Sequence, residues 1–305
     1  MHKVTNLSVL ANLLRLGLAQ GEDAFALLRR WRRTQNISKR VLLQRHTRDI
    51  RWDADASLPA DPRDCLFMSF HYGLWYMSLA AMARASGCQR VYCLVGQIDP
   101  SYEDRMAAIA RAAGIEIVLV SGGTAMLRGV RQARAEGALL FVLVDVPWGV
   151  SGEPDRRYPF CAGDIAARSG LFAFAERAGL KPQLLVADYD EAQRHTQIRH
   201  HAIQTQAECF ALLQDYVQRK PWLWDRLIDV HKYSQQQTPA RHLPFRLAQD
   251  FYLADTSTLG ITRINRPLYE QLQAHRRLRR SDATGAHALL EQIHARTALD
   301  IHAVL

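Results

Sequence analysis

The sequence lacks the patterns that mark several familiar classes of protein. None of its five cysteines forms a Cys-x-x-Cys pair, and their number is odd, so neither a zinc ribbon nor a disulfide framework is indicated and a reducing compartment fits best. It has no run of about 18 apolar residues and no signal-peptide pattern, which argues against a membrane span and against secretion. The nucleotide-binding patterns Gly-x-Gly-x-x-Gly and Gly-Lys-Ser/Thr are missing, so we expect neither NAD nor ATP.

What the chain does contain is enough apolar sequence to build a large core. Its 305 residues are 48% apolar and 23% charged, which is typical of a globular protein with two domains, or with one large domain and an appendage. The net charge of +9 is concentrated in residues 1–50, which hold ten Lys or Arg and three Asp or Glu. A surface this basic favours acidic partners, such as a carrier protein or an anionic membrane.

This N-terminal segment predicts two amphipathic helices. Leucines recur at helical spacing from Leu7 to Leu18, and a second stretch places Phe25, Leu28 and Trp31 opposite a run of arginines. Two interpretations are open. Either the helices pack on the domain core and present a solvated basic face, or the leucines and Trp31 lie in the headgroup region of an anionic bilayer while the arginines bind phosphates.

Residues 51–235 alternate short apolar runs with longer helical windows, which is typical of an α/β domain. Strands are predicted at 65–70, 90–96, 115–120, 138–144 and 182–188, and helices at 74–86, 101–113, 124–136, 165–179 and 205–219. Strands that are apolar throughout and separated by helices predict a mostly parallel central sheet covered by helices on both faces. We expect a Pro- and Gly-rich loop at 147–164 and a polar connection after residue 188.

A polar break at 234–239 predicts a linker to a small C-terminal α+β module over 240–305. The pattern indicates two short strands within 250–265 and two helices, at 267–279 and 283–297. This layout resembles the small winged-helix-like modules of the PqqD-like group, which bind peptide leaders beside modifying enzymes. Whether the module recruits a substrate or has a regulatory role is left open.

One histidine directly follows a predicted buried strand. His71 comes after strand 65–70, and Gly73 precedes the next helix. Ligands bind at the carboxyl ends of strands in an open α/β sheet, and a helix N-terminus there favours an anion. A lone histidine is by default a packed or surface residue, so it is the position of His71 that makes it a catalytic candidate.

The residues around this histidine carry a family resemblance. His71, Gly73 and Trp75 match the end of a strand in the lysophospholipid acyltransferase superfamily, and they resemble most the bacterial branch that adds late acyl chains to lipid A. That branch has an acid five positions after the histidine, and here Tyr76 stands at that position.

Further motifs of the same branch follow in order over about residues 60–233. Asp145 resembles its Asp after a buried strand, Tyr158-Pro159-Phe160 resembles its Pro-Phe-Phe-Gly loop, and Pro221-Trp222-Leu223-Trp224 resembles its Pro-Glu-Gln-Tyr-x-Trp signature. Two tryptophans at this spacing after a helix are typical of a core, and we expect both Trp222 and Trp224 to be buried there.

The resemblance implies transfer of an acyl group from a carrier-protein or coenzyme A thioester to a hydroxyl or an amine, without a cofactor. His71 is then the general base, since histidine titrates near the pH at which the reaction runs. Substrate-binding positions implied with it are Gly73, Trp75, Tyr76 and Phe160. Arg156 and Arg157 are candidates for binding a donor or headgroup phosphate, although a solvated loop is the commoner role for such a pair.

The acid that orients the histidine has to come from another part of the fold. No Asp or Glu lies between Asp64 and Asp99, and a phenol such as that of Tyr76 carries no charge at neutral pH. Asp145 is the first candidate because it also follows an apolar strand, with capping of its own loop as the alternative role. Asp99 is the reserve. If neither reaches His71, the site uses histidine alone, takes a more acidic nucleophile, or is inactive.

Two other functions are weighed against the transferase. A non-catalytic lipid- or peptide-binding protein could keep the fold and do without the acid. A nucleic-acid binder has only basic charge in its favour, so we expect no nucleic acid. His195, His200 and His201 match no metal-binding spacing, so no metal is expected. Together these features predict a cytoplasmic protein, peripheral at the inner membrane face.

Overall fold

The computed structural model describes residues 2–19, 23–44, 51–55, 57–59, 61–96, 98, 100–146, 154–236, 242–247, 249–255 and 261–281. In this part of the chain the α-helices are α1 (His2–Arg15), α2 (Asp23–Gln44), α3 (Tyr76–Ser86), α4 (Pro100–Ala113), α5 (Gly123–Glu136), α6 (Gly170–Arg177), α7 (Gln206–Arg219) and α8 (Arg266–Ser281). The strands are β1 (Arg51–Ala54), β2 (Cys65–Ser69), β3 (Arg90–Val95), β4 (Glu116–Ser121), β5 (Leu139–Leu143), β6 (Arg156–Phe160), β7 (Gly163–Ala167), β8 (Lys181–Asp190), β9 (His195–Ala202), β10 (Ser234–Gln236), β11 (His242–Leu247), β12 (Asp250–Asp255) and β13 (Ile261–Ile264).

A seven-stranded sheet forms the centre of the molecule, in the order β1-β9-β8-β2-β5-β3-β4. Strands β8, β2, β5, β3 and β4 are parallel, β9 is antiparallel to β8, and β1 runs parallel to β9. Every residue of β2 is buried, as expected for a strand covered on both faces. The prediction of an α/β fold with a mostly parallel sheet is confirmed.

The N-terminal helices pack on the core, which decides between the two interpretations of this segment. Leu10, Leu28 and Trp31 are buried in protein, so the expectation that they lie in a bilayer is wrong. The indole of Trp31 donates to the carbonyl of Trp224 at 3.1 Å, and Asn12 donates to the carbonyl of Leu227 at 2.7 Å. The apolar stripe is therefore used internally, and the arginines of α2 form an exposed basic face. No described helix is long and apolar enough to cross a bilayer.

A small second sheet joins segments for which the sequence predicts other structures. Strands β6 and β7 form an antiparallel hairpin inside the predicted loop, α6 begins at Gly170 rather than at 165, and β10 pairs with β7 where a linker is predicted. The exposed arginines of β6 hide the strand pattern, since apolar and polar residues do not alternate. The turn signal is missing too, because Cys161, not glycine, takes φ 54°.

The predicted polar connection after residue 188 is also wrong. Strand β8 continues to Asp190, and β9 returns antiparallel along it. The histidines of β9 contact neighbouring elements: Nε2 of His195 lies 3.0 Å from Asp53 on β1, and Nε2 of His201 lies 3.1 Å from the hydroxyl of Tyr216 on α7. Within the described ranges no group of three or more His, Cys, Asp or Glu is placed to hold a metal ion.

The C-terminal module consists, where described, of the antiparallel sheet β11-β12-β13 and helix α8. Strands β12 and β13 and helix α8 match predicted elements. Strand β11 is missed because Pro244 interrupts the pattern, although a proline is tolerated at the edge of a sheet. The second predicted helix, 283–297, lies outside the described residues, and the winged-helix resemblance stays a prediction.

Candidate active site

Parallel pairing of β2 with β5 brings the two predicted catalytic residues together. Ser69 lies opposite Leu143 in this register, and His71 and Asp145 each follow their strand end by two residues. Both side chains therefore emerge at the same carboxyl edge of the sheet. Nδ1 of His71 lies 2.8 Å from Oδ1 of Asp145, so the predicted proximity is confirmed. The catalytic roles stay predictions, and Asp99 lies outside the described residues.

The carboxylate of Asp145 is held from three directions. Its Oδ2 accepts the backbone N–H of His71 at 2.9 Å and the indole N–H of Trp224 at 2.9 Å. Burial raises the pKa of Asp145, but His71, Trp224 and the nearby Arg226 outweigh burial and hold that pKa below its usual value. Asp145 is thus an ionised carboxylate in an environment that excludes water.

The charge of Asp145 fixes the tautomer of the histidine. An ionised carboxylate only accepts hydrogen bonds, so Nδ1 of His71 carries the proton and Nε2 is the basic nitrogen. No described residue hydrogen-bonds Nε2. The ring of Trp75 meets the imidazole edge to face, with ring centroids 5.8 Å apart, and holds its plane.

His71 lies in the wall of a cavity of about 450 Å³, within the range of about 300–1,000 Å³ that is usual for small-molecule sites. Most of the wall is apolar and comes from the carboxyl ends of β3 and β5 and from α4, α5 and α6. The apolar side chains are Leu94, Val95, Tyr102, Met126, Val142, Leu143, Val144, Val146, Leu171 and Phe174. A lining of this kind is typical of a binding site for an apolar group.

Three charged side chains that sequence reasoning missed lie around this cavity. Arg168 and Arg226 are part of its wall, and Arg226 pairs with Asp229. Asp225 donates its backbone N–H to the carbonyl of His71 at 2.8 Å. Burial raises the pKa of Asp225 to about 6, against a hydrogen bond from Gln35 and the positive potential of His71 and Arg226.

Three predicted substrate-binding residues, Gly73, Trp75 and Tyr76, are absent from the described lining of this cavity. Gly73 has φ 59°, and a Cβ there would lie 2.1 Å from the carbonyl oxygen of Ala187. Its N–H donates to Leu223 at 2.7 Å, so this group is not available to a substrate oxyanion. Trp75 and Tyr76 are 5% and 2% exposed and lie outside the described cavity wall, and burial raises the pKa of the Tyr76 phenol further.

The predicted phosphate-binding residues Arg156 and Arg157 and the predicted substrate-binding residue Phe160 also lie outside the described lining of the cavity. Arg156 and Arg157 are exposed on β6, and Arg157 forms an ion pair with Asp164 at 2.6 Å. Phe160 is fully buried and packs on the indole of Trp224 at a centroid distance of 5.3 Å. Phe160 therefore supports the ring that holds Asp145. Arg156 and Arg157 therefore have the commoner role for such a pair, which is to form part of a solvated surface.

Trp224 is buried as expected, and it does more than fill space. Its side chain is fully buried and donates to Asp145, a role that its spacing after α7 does not reveal. The resemblance to the Trp of a family signature was the one available signal. Arg168 offered none, since a single arginine before a helix is common on protein surfaces.

No family model and no curated protein matches the chain. Functional inference therefore starts from the geometry of the His71 site and its cavity. The features that bear on function are the fixed tautomer of the His71 imidazole, the buried carboxylate of Asp145 at its Nδ1 and the apolar cavity beside the ring.

Proposed function

We propose that the protein is an acyltransferase that moves an acyl group from a carrier-protein or coenzyme A thioester to a hydroxyl or an amine. The observation that carries this proposal is the chain of hydrogen bonds from Trp224 through Asp145 to His71 at the wall of an apolar cavity. A catalytic base needs a free basic nitrogen, a fixed tautomer and an adjoining space for substrate, and these residues supply all three.

In the proposed reaction Nε2 of His71 removes the proton of the acceptor as its oxygen or nitrogen attacks the thioester carbonyl. Asp145 stabilises the imidazolium that forms, and the cavity walls keep water away from it. The tetrahedral intermediate then collapses, the carbon–sulfur bond breaks, and the imidazolium returns its proton to the leaving thiolate. The products are the acylated acceptor and a free thiol, and His71 is again neutral.

The basic face of α2 supports a partner of opposite charge. Arg29, Arg30, Arg32, Arg33 and Arg40 are exposed along this helix. An acidic carrier protein or an anionic membrane surface would meet complementary charge there, which raises encounter rates. The proposal therefore includes a peripheral position at the cytoplasmic membrane face, without insertion of the N-terminal helices.

A thiol-release assay with a series of acyl thioesters tests the function. We expect the wild-type protein to release thiol in the presence of an acceptor, and His71→Ala to lower the rate by about 100- to 10,000-fold, which is the usual contribution of a general base. His195→Ala, a histidine paired with Asp53 on β9, is the matched control and should keep the rate. Equal rates for wild type and His71→Ala would contradict the proposal.

The runner-up, a lipid- or peptide-binding protein without catalysis, makes the opposite prediction in the same experiment. It would bind acyl ligands in wild type and in His71→Ala alike, and it would release no thiol with any donor. The ionised carboxylate of Asp145 at Nδ1 of His71 favours the enzyme, because buried acids with shifted pKa values cluster at functional sites.

A further inference from the structure

Arg168 presents an unused hydrogen-bonding edge beside the cavity. It follows β7, precedes α6 and contributes to the same wall as His71. Its Nε and Nη2 atoms are buried, and no described residue hydrogen-bonds either of them. A buried donor without a hydrogen-bond partner destabilises a fold, and a charged donor does so more strongly. Two buried donors of one guanidinium group without a described partner therefore indicate a binding site for a ligand.

The two nitrogens lie on one edge of the guanidinium group. Nε–H and one Nη2–H point in parallel, at the separation of the two oxygens of a carboxylate or of a phosphate. Such an edge binds an oxyanion with two hydrogen bonds at once. The substrate of this site would therefore have to bring two oxygens in one plane.

The other arginines near the site are already paired. Arg226, on the same cavity wall, forms an ion pair with Asp229, and Arg157 in the neighbouring hairpin binds Asp164. Arg168 has no carboxylate partner among the described residues, so its charge is not neutralised within the described cavity. Helix α6 begins two residues later, and Gly170 and Leu171 share the wall, so the positive end of the helix dipole adds to the charge of Arg168.

We propose that Arg168 binds an oxyanion of the substrate, a carboxylate or a phosphate, while the apolar wall holds an aliphatic segment of the same molecule. This inference rests on the proposed function and narrows its substrate class. One of the two molecules that react at His71 is then an amphiphilic anion, either an acyl group with a second acidic end or an acceptor with an acidic group. A wholly neutral substrate would leave the buried Nε and Nη2 donors of Arg168 without an oxyanion partner.

Calorimetric titration with three short ligands tests the proposal. Octanoate and octyl phosphate carry the two kinds of oxyanion, and octanamide is the neutral reference with the same chain. We expect at least one of the anions to bind wild type about 10-fold or more tightly than octanamide, since charge-assisted hydrogen bonds are about twice as strong as those between neutral groups. The anion that binds more tightly identifies the headgroup.

Variants of Arg168 separate the charge from the geometry. Arg168→Gln should remove the preference for the anion and leave octanamide binding unchanged, while Arg168→Lys should keep only part of the preference because an ammonium cannot form the bidentate contact. Arg156→Gln, an exposed arginine of the adjacent hairpin, is the control and should behave as wild type. An anion preference that survives Arg168→Gln, or one absent from wild type, would overturn the proposal.

The binding assay does not depend on turnover, so the two proposals fail separately. A preference for the anion that requires Arg168 without thiol release from any thioester leaves the ligand assignment and rejects the acyltransferase. Thiol release that requires His71 with no effect of Arg168→Gln on ligand preference or rate leaves the acyltransferase and rejects the oxyanion site.

Discussion

The two edges of the central sheet each carry a cluster of charged residues beside a depression, and they treat charge in opposite ways. At the amino edge, Arg90 lies between Glu116 and Glu136 and bonds both, at 2.7 and 2.8 Å. The depression there is the larger, about 870 Å³, and is lined by the ends of β3, β4 and β5. At the carboxyl edge the cavity is half that size, and Asp145 is 1% exposed.

The difference between the edges lies in what neutralises each charge. The carboxylates of the amino edge face water and the guanidinium of Arg90, whose hydrogen bonds lower the pKa of Glu136 to about 2. At the carboxyl edge burial works against ionisation: Asp145 stays charged through His71 and Trp224, while Asp225 titrates near 6. Acids whose pKa values are pushed apart by burial and by charged neighbours are typical of a catalytic site, whereas the volume of a depression and the number of charges beside it do not identify one.

The largest expected effect comes from removing the buried charge at the carboxyl edge. Asp145→Asn keeps the size of the side chain but cannot stabilise an imidazolium, and its amide no longer fixes the proton on Nδ1 of His71. We expect turnover to fall by about 10,000-fold, as in other His–Asp pairs. Single-turnover thiol release measures the loss, and circular dichroism checks that the variant is folded. Turnover within 10-fold of wild type would remove Asp145 from the catalytic role.

The part of the carboxyl edge that the sequence predicts is the part that depends on where the strands end. The apolar strands 65–70 and 138–144 predict strands of one parallel sheet, and His71 and Asp145, each directly after its strand, are expected at its carboxyl edge. That the two strands are neighbours is seen only in the register of the structure. The replacement of the family acid by Tyr76 even directs attention to an acid from another strand. These inferences need only the sheet pattern and the general position of ligand sites.

The parts that sequence reasoning missed depend on contacts outside the central sheet. Trp224 reaches Asp145 across 79 positions, and nothing in its neighbours signals that hydrogen bond. Arg156 and Arg157 looked like an anion site because they follow one another, yet strand β6 presents them to solvent, and Arg168, 11 or 12 positions further on, is the one in the cavity wall. The hairpin of β6 and β7 places Arg156 and Arg157 on the surface and brings Arg168 to the cavity wall. The sequence does not predict this hairpin, because its turn residue is Cys161 and not glycine.

The second effect concerns the pH dependence of stability at the carboxyl edge. Folded protein holds the proton of Asp225 up to about pH 6, whereas the carboxyl has a pKa of 3.8 when it is free of the fold. Between these values the unfolded chain binds fewer protons, so this group lowers the free energy of unfolding as pH rises from about 4 to 6. Asp225→Asn removes that loss and should be more stable than wild type at neutral pH, by on the order of 1–2 kcal/mol.

Urea unfolding at a series of pH values measures this difference directly. The gain of Asp225→Asn over wild type should be smallest near pH 4, grow until about pH 6 and then stay constant, because the other titrating groups cancel in the comparison. A difference that is independent of pH would mean that Asp225 ionises normally, and the contrast between the two edges would then rest on Asp145 alone.

The smallest effect is expected at the amino edge, and it tests whether the contrast is real. Glu136→Gln removes one partner of Arg90 but leaves Glu116 in place, and exposed pairs are screened by solvent and salt. Turnover should equal that of wild type, and the shift in melting temperature should be smaller than that of Asp225→Asn and should decrease in about 1 M NaCl, where the Debye length is only about 3 Å. Because Glu136 is also a carboxylate at a sheet edge, it is the matched control for Asp145→Asn. Loss of turnover in Glu136→Gln would show that charge at either edge affects catalysis, and the larger depression would then have to be considered part of the working site.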